Sequence, residues 1–315
     1  MAALRLVFMG TAELSCASLE ALADSAEFQL AAVVTQPDRP KGRQLKLQPS
    51  PVKQLALKRQ LPLLQPERAR SEEFLRQIEQ INPELIVVAA YGQILPRQLL
   101  ELPRFGCLNV HTSVLPKYRG AAPIQWAILN DERETGVTIM KMDIGLDTGP
   151  ILTQSSTLIE AVDTAETLHD RLATMGADLL LKTIPAYVAG TIQPQPQPSE
   201  GVSYAPKIKK EDGKVDWTQP ARSIWNRVRG LVPWPGAYAF IPDNAGRRLV
   251  KIWKANPEEK TGAPGEILHA GRDGIVVACG IHALRILELQ PENGRRLSAQ
   301  DFLCGHSLIP GQHLT

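Results

Sequence analysis

Short apolar runs and stretches of helical periodicity alternate along the first half of the chain. Five runs with little polar alternation predict buried strands: "LRLVFMG", "FQLAAVVTQ", "ELIVVAAYG", "GCLNVH" and "GVTIMKM". Two stretches between them, "AELSCASLEALADS" and "SEEFLRQIEQIN", carry apolar residues at the spacing of an amphipathic helix. Strands without a polar face are typical of parallel sheets that helices cover on both sides. The pattern therefore predicts an α/β fold with a doubly wound, mostly parallel sheet.

The pattern changes at residues 190–206, "GTIQPQPQPSEGVSYAP", which contain four prolines and no apolar cluster. Such a composition is typical of an extended connection between domains. Beyond it, "KIWKA", "GEILHA", "GIVVAC" and "ALRILELQ" are short runs rich in branched residues. They predict a small β-barrel, and "ARSIWNRVRGLV" predicts one helix beside it. We therefore predict one domain over residues 1–189, a linker over 190–208 and a β-barrel domain over 209–315.

Composition excludes several classes of protein. No stretch approaches the ~18 apolar residues of a membrane span, and the apolar run at the N-terminus is shorter than that of a signal peptide. The four cysteines form no CxxC pair and the six histidines are scattered, so we expect neither a metal site nor disulfides. A cytoplasmic protein without membrane or metal is the simplest interpretation.

Charge is unevenly distributed, although the net charge is only +2. Residues 1–200 carry a net charge of −3, whereas residues 201–315 carry +5. An excess of positive charge in the C-terminal part is compatible with an anionic partner, and equally with an ordinary solvated surface.

Two polar residues stand on the strand-like run "CLNVH". Side chains at positions i and i+2 of a strand share a face, so Asn109 and His111 project together near the end of the strand. An amide and a protonated imidazole both donate hydrogen bonds, which suits a carbonyl oxygen that acquires negative charge during acyl transfer. Taken alone, the pair also fits a polar cap on the sheet.

An acidic loop, "DIGLDTGP", follows the run "GVTIMKM" and carries Asp143 and Asp147. Because loops after parallel strands meet at one rim of a sheet, an Asp of this loop can orient the imidazole and relay protons. Two carboxylates four residues apart also suit Mg²⁺ or a turn, but no phosphate-binding loop accompanies them. Ser113 invites a Ser/His/Asp hydrolase interpretation, yet the chain lacks a GxSxG elbow. Gly10 lacks the other glycines of a dinucleotide motif.

The stretches "NVHTSVLPKYRGAAPIQ" and "MDIGLDTGPIL" closely resemble the signature of the folate-dependent formyltransferase family. Three more stretches, "TQPDRPKGRQLKLQPSPVK", "KIKKEDGKVDW" and "VPWPGAY", resemble the members that act on initiator tRNA. The resemblance implies a Rossmann-like catalytic domain followed by an OB-like, tRNA-binding barrel. It implies 10-formyltetrahydrofolate as the formyl donor and the α-amino group of initiator methionyl-tRNA as the acceptor.

Site residues follow from the same resemblance. Asn109, His111 and Asp147 match the catalytic residues of the family, and its folate-contacting turn matches Ser113, Val114, Leu115 and Pro116. In the run that precedes the catalytic strand, the rim residues Tyr91 and Leu95 are further folate candidates, while the rest is expected to be core.

Basic residues are the candidates for tRNA contacts. The stretch 36–53 carries Lys41, Arg43 and Lys46 among prolines and glycine, which predicts an exposed basic loop. Lys207, Lys209 and Lys210 form a second cluster at the end of the linker. Four tryptophans of the C-terminal part are expected to be core rather than stacking platforms.

The sequence is also compatible with two alternatives. A formyltransferase that acts on a small amine would share the catalytic residues, and a tRNA-binding module would lack activity. We expect a monomer, since no self-complementary apolar face is evident in the sequence.

Overall fold

The structure is a computed structural model, which describes residues 3–41, 46–243 and 246–315. The chain divides into two compact units. The first comprises residues 1–123, 135–157 and 169–205, and the second comprises 124–134, 158–168 and 206–315. Each unit is therefore discontinuous in sequence, and the boundaries at residues 189 and 208 stay a prediction.

The elements before residue 206 are mostly those of an α/β fold. The strands are β1 (Leu4–Gly10), β2 (Phe28–Val34), β3 (Arg39–Lys41), β4 (Lys46–Gln48), β5 (Leu63–Leu64), β6 (Leu85–Ala89), β7 (Cys107–His111), β8 (Arg119–Gly120), β9 (Glu134–Lys141), β10 (Ile151–Leu158) and β11 (Tyr204–Ala205). The helices are α1 (Leu14–Asp24), α2 (Pro51–Lys58), α3 (Glu72–Ile81), α4 (Arg97–Glu101), α5 (Pro123–Leu129) and α6 (Ala165–Val188).

Seven strands form the central sheet of the first unit, in the order β10-β9-β7-β6-β1-β2-β5. Strands β5, β2, β1, β6 and β7 are mutually parallel. Strand order reverses between β1 and β6, and ligands of such sheets bind beyond the carboxyl ends of the strands near this switch point. Strand β9 is antiparallel to β7. The sheet is therefore mostly parallel, as predicted.

Helix α3 shows how the sequence specifies local structure. The Ser71 hydroxyl accepts a hydrogen bond from the backbone N–H of Phe74 at 3.4 Å, which caps the first turn. Asn82 ends the helix in the left-handed conformation, with φ of 50°. Phe74 and Ile78 lie four residues apart on one face and are buried in the core of the first unit. Capping and apolar spacing together explain why the predicted helix forms.

The second unit contains an antiparallel sheet. Its elements are α7 (Ala221–Gly230), β12 (Ala237–Asp243), β13 (Gly246–Glu258), β14 (Ile267–Gly271), β15 (Gly274–Ala278), β16 (Ala283–Pro291), β17 (Leu297–Ser298) and α8 (Ala299–Gly305). The main path runs β12-β13-β16-β15-β14. The last residues bridge its two edges: Thr315 exchanges backbone hydrogen bonds with Phe240 of β12, and Leu314 donates to Gly265 just before β14. These bonds close the sheet as a barrel requires.

The predicted fold class is confirmed, with one wrong detail and several elements that were not predicted, of which α6 is the longest. The loop after "GVTIMKM" was expected to follow a parallel strand, but β9 runs antiparallel to β7. The 24-residue helix α6 was not predicted, although Leu168, Leu172 and Leu180 occupy helical spacing and are buried. Among the described residues, no helix combines the length and apolarity needed to cross a bilayer.

Candidate active site

Asn109 and His111 lie together at the carboxyl end of β7, as the two-residue spacing predicts. Asn109 is half-buried, whereas His111 is only 6% exposed. Nε2 of His111 lies 2.9 Å from the carbonyl oxygen of Tyr118. Because a carbonyl oxygen only accepts, Nε2 carries the hydrogen in this contact. The second ring nitrogen, Nδ1, is therefore the one available to the site.

Asp147 faces this second nitrogen. Its Oδ2 lies 3.8 Å from Nδ1 of His111 and accepts a 2.8 Å hydrogen bond from the backbone N–H of Gly120. The Asn109 amide donates to Oδ1 at 3.4 Å. An ion pair with His111 forms only when the ring is protonated, since a neutral ring with hydrogen on Nε2 has no second N–H. The structure thus brings the three predicted catalytic residues together.

The loop that carries Asp147 folds back over β7 from an antiparallel strand. The Met142 N–H donates to the carbonyl of Cys107 at 2.8 Å, and Asp147 has a positive φ of 51°. At Gly149, a Cβ atom would lie 1.9 Å from the Lys141 carbonyl oxygen, so only glycine permits this approach. Asp147 therefore reaches the site by a route that differs from the predicted convergence of parallel strands.

Asp143 organises the same loop. Its carboxylate accepts a 3.0 Å hydrogen bond from the Gly145 N–H and a 2.7 Å bond from the Thr148 hydroxyl. Within the described parts of the chain, no group of three His, Cys, Asp or Glu side chains is arranged to hold a metal ion. The two acids of this loop are thus engaged in hydrogen bonds of the turn and of the site.

The turn after β7 is built from buried hydrogen bonds. The Ser113 hydroxyl donates to the Lys117 carbonyl at 2.6 Å, and the Thr138 hydroxyl accepts from Leu115 N–H and donates to Ser113 O. The side chains of Ser113 and Leu115 are buried, whereas Val114 and Pro116 are partly exposed. Contact between this turn and folate stays a prediction, and only its partly exposed side chains are accessible to a ligand.

Tyr91 and Leu95 lie in the hydrophobic core of the first unit rather than at its surface. Tyr91 is 2% exposed, and its burial raises the pKa of its hydroxyl to about 12. Between the two, Ile94 is 90% exposed. The exposed positions at the end of the run are Ala90, Gly92 and Ile94, and contact between this part of the chain and folate stays a prediction.

The basic residues predicted to contact tRNA lie in two regions of the chain. The backbones of Lys41 and Lys46 pair across the β3–β4 hairpin, and Arg43 lies outside the described residues. The Lys53 ammonium group contacts Asp38 at 2.8 Å, so this cation already has a counter-charge. In the second unit, Lys207, Lys209 and Lys210 are all exposed.

The tryptophans divide between core and surface. Trp217 and Trp225 are buried in the core of the second unit, as expected, whereas Trp234 is 56% exposed. The Trp253 indole donates to Gln290 at 3.0 Å. Two of the four expected core tryptophans are thus core residues.

Gln197 and Ser203 also support the site, and both lie in the stretch predicted to be a linker. The Gln197 amide donates to the carbonyl oxygen of Asp147 at 2.8 Å, and the Ser203 hydroxyl accepts from the N–H of Tyr118 at 2.9 Å. The proline-rich composition of this stretch carries no periodicity that would have pointed to these contacts.

Two family models match the chain. The model described as "Formyl transferase" matches residues 4–184, and the model described as "Formyl transferase, C-terminal domain" matches residues 207–307. Together they cover both the site loops and the C-terminal sheet.

Similar proteins span the same length. A "Methionyl-tRNA formyltransferase" of Citrifermentans bemidjiense is 50% identical over 311 residues, 99% of this chain and 96% of that protein. A protein of the same name from Geobacter metallireducens is 49% identical over 314 residues, 100% of this chain and 99% of that protein.

Two solved structures share the fold. An N-formyltransferase from Helicobacter canadensis, in complex with folinic acid and dTDP-3-aminofucose, has a TM-score of 0.65 and 21% identity, covering 90% of this chain and 99% of its own. HypX from Aquifex aeolicus in complex with tetrahydrofolic acid has a TM-score of 0.64 and 18% identity, covering 98% of this chain and 50% of its own. With both domain models matched and full-length relatives at about half identity, this chain belongs to the formyl transferase family.

Proposed function

We propose that the protein transfers the formyl group of 10-formyltetrahydrofolate to the α-amino group of methionyl initiator tRNA, which gives N-formylmethionyl-tRNA for translation initiation. The observation that carries the formyl-transfer reaction is the convergence of Asn109, His111 and Asp147, with side-chain contacts of 3.4 and 3.8 Å. Full-length relatives at about 50% identity are named for this activity.

Asn109 and His111 stabilise the formyl oxygen as negative charge develops on it. Nε2 of His111 already donates a hydrogen bond to the carbonyl oxygen of Tyr118, so the ring donates to the formyl oxygen through Nδ1. Nδ1 bears a hydrogen only when the ring is protonated, because Nε2 keeps its own. Loss of one donor of this kind typically costs about 10²–10³ in kcat.

Asp147 supplies the counter-charge for the protonated ring and a base for the amine. Its carboxylate is fixed by the Gly120 N–H and lies next to both donors. The attacking amine loses a proton as the new amide bond forms, and N10 of the folate gains one as it departs. A carboxylate beside the reacting groups moves this proton directly or through a water molecule.

The surroundings of the site fit a flat heteroaromatic donor that also carries carboxylates. Ile144 and Leu146 lie on the loop that carries Asp147 and are 76% and 60% exposed, and apolar side chains of this kind cover an aromatic ring system. A depression of about 490 Å³ beside Ile144 is lined by apolar Leu100, by the cations Arg97, Arg104 and Lys141, and by the acids Glu101 and Asp143, so its charged lining has one more positive than negative group. 10-formyltetrahydrofolate has both chemistries, and when bound it supplies the activated formyl group.

The acceptor is assigned from the second unit and the basic hairpin. Lys207, Lys209 and Lys210 are exposed, and exposed lysines bind phosphates through charge without reading sequence. We propose that these lysines, with Lys41, Arg43 and Lys46 of the basic loop, contact the tRNA. We further propose that the chain acts in the cytoplasm as a monomer; light scattering of the purified protein measures the latter.

A formyl-incorporation assay tests the function. The purified protein is supplied with labelled 10-formyltetrahydrofolate and, in separate reactions, methionyl initiator tRNA, uncharged tRNA and amino sugars. Label in the methionyl-tRNA alone is the expected result. Faster labelling of an amino sugar would assign the chain to small-amine acceptors, and absence of label in every acceptor would leave only a binding function.

A further inference from the structure

Gln197 contacts two parts of the active site through opposite ends of its side-chain amide. Its Nε2 donates to the carbonyl oxygens of Asp147 and Gly149, each at 2.8 Å. Its Oε1 accepts from Nε and Nη2 of Arg119 at 3.1 and 2.7 Å. Carbonyl oxygens only accept and a guanidinium only donates, so this set of partners fixes the orientation of the amide.

These contacts complete a closed network around Asp147. The Gly120 N–H, next in the chain to Arg119, donates to the Asp147 carboxylate at 2.8 Å. Gln197 therefore binds the backbone of Asp147. Gly120, which follows the Gln197 partner Arg119 in the chain, binds the side chain of Asp147. Asp147 adopts a positive φ of 51°, which an Asp residue adopts only when its surroundings favour it.

The same segment is anchored again beyond Gln197. Strand β11 pairs in parallel with β8, with Ala205 opposite Gly120, and the Arg119 N–H donates to the carbonyl of Ser203 at 2.9 Å. A Cβ on Gly120 would lie 2.7 Å from the Ala205 carbonyl oxygen, so glycine is required for this approach. The segment from Gln197 to Ala205 is therefore part of the active-site scaffold.

We propose that Gln197 is a positioning residue for the formyl transfer, which fixes the distance of the Asp147 carboxylate from His111 and Asn109. This inference rests on the proposed function, because it concerns the same reaction. Among the described residues, the side-chain hydrogen bonds of Gln197 go to two backbone carbonyls and to Arg119, so we infer that it acts through Asp147 rather than on the substrates. Displacement of a reacting group by about 1 Å costs on the order of 10²-fold in rate.

Two variants test the proposal in the full-length protein. Gln197→Ala removes all four contacts, and Gln197→Glu keeps an oxygen acceptor for Arg119 but places a second oxygen against the carbonyls. We expect kcat for methionyl-tRNA to fall about 10- to 100-fold in each, with both KM values within about threefold. The nearly isosteric Gln197→Glu carries the test if Gln197→Ala does not fold, as judged by thermal unfolding.

Gln195→Ala is the matched control. Gln195 lies two residues earlier in the same segment and is exposed, and within the described part of the chain its side-chain amide donates to the Gln193 carbonyl at 3.4 Å and not to the Asp147 loop. Wild-type kcat is expected for this variant.

A double-mutant cycle separates positioning from general structural support. In an Asp147→Asn background, Gln197→Ala should slow single-turnover transfer less than threefold further, because the carboxylate that it positions is already absent. Wild-type kcat in both Gln197 variants would overturn the proposal. It would also be overturned if Gln197→Ala reduced the transfer rate by the same factor in the Asp147→Asn protein as in the wild type. The proposed function fails separately, by absence of activity in the wild-type protein.

Discussion

Replacement of Asp147 by asparagine removes the charge of the site and keeps its shape. The asparagine oxygen can still accept from the Gly120 N–H, which now lies 2.8 Å from Oδ2. What disappears is the negative charge 3.8 Å from Nδ1 of His111, together with the base for the amine proton. The variant therefore removes the electrostatic and proton-transfer roles of Asp147 while the side chain keeps its shape, so the electrostatic part sets a lower limit for the loss of rate.

The size of the effect follows from that distance. The two side chains are only 6% and 14% exposed, so solvent screens the pair weakly. At an effective dielectric constant of about 20, unit charges at this separation attract each other by roughly 4 kcal/mol. A loss of this size corresponds to a factor of about 10³ in rate, before any loss from proton transfer is added.

Rapid-quench, single-turnover transfer to methionyl initiator tRNA measures this factor. We expect Asp147→Asn to reduce the rate at least 10³-fold, with an unchanged thermal unfolding midpoint and KM values within about threefold. Asp178→Asn makes the same change at an exposed carboxylate of α6 and should behave as wild type. A rate for Asp147→Asn within tenfold of wild type would refute the electrostatic reasoning.

Four further predictions concern the acceptor, the loop and the fold. Triple replacement by alanine of the exposed lysines 207, 209 and 210 should raise KM for the tRNA, with kcat within twofold. It should also reduce the magnitude of the slope of log K for tRNA binding against log salt concentration by about 2–3. An unchanged slope would contradict the prediction that these lysines contact the tRNA. Gly149→Ala should lower the melting temperature and kcat together, because its Cβ would meet the Lys141 carbonyl; wild-type melting would count against the loop geometry. Leu314→Ala should lower the free energy of unfolding by about 2–5 kcal/mol in urea titrations, since Leu314 is 3% exposed. Ile309 is exposed, so Ile309→Ala should change the same free energy by less than about 0.5 kcal/mol. Burial raises the pKa of the Cys107 thiol from 9.0 to about 12, so above pH 9 the thiol ionises in the unfolded chain but not in the folded one, and the free energy of unfolding falls as pH rises. Between pH 9.5 and 11.5 the free energy of unfolding of Cys107→Ala should therefore fall by about 1.4 kcal/mol less per pH unit than that of the wild type. Parallel plots of unfolding free energy against pH for the two proteins would contradict this prediction.

The catalytic strand was predictable because its signal is local. A two-residue spacing on a strand places Asn109 and His111 on one face whatever the rest of the fold does. The proximity of Asp147 was also predicted, but from a wrong premise, since strand direction in β9 depends on long-range pairing that periodicity does not reveal. The correct residue was thus named, while the path of its loop was not.

Other parts of the site lay beyond sequence reasoning. A short apolar run does not tell which of its members faces solvent at its end, so Tyr91 and Leu95 were named as rim residues where the structure exposes Ile94. Gln197 is one of several glutamines among prolines, and nothing local distinguishes it from Gln195. Its contacts with the Asp147 loop exist only after the segment folds back onto the first unit.

The central claim is that Asn109 and His111 together hold the formyl oxygen. A crystal structure of the protein with a donor analogue in which carbon replaces N10 tests it most directly, because this formyl group cannot be transferred. We predict that the formyl oxygen lies within about 3.2 Å of Asn109 Nδ2 and of His111 Nδ1, which are normal hydrogen-bond distances. A formyl oxygen that points away from both atoms, with the analogue bound, would contradict the account.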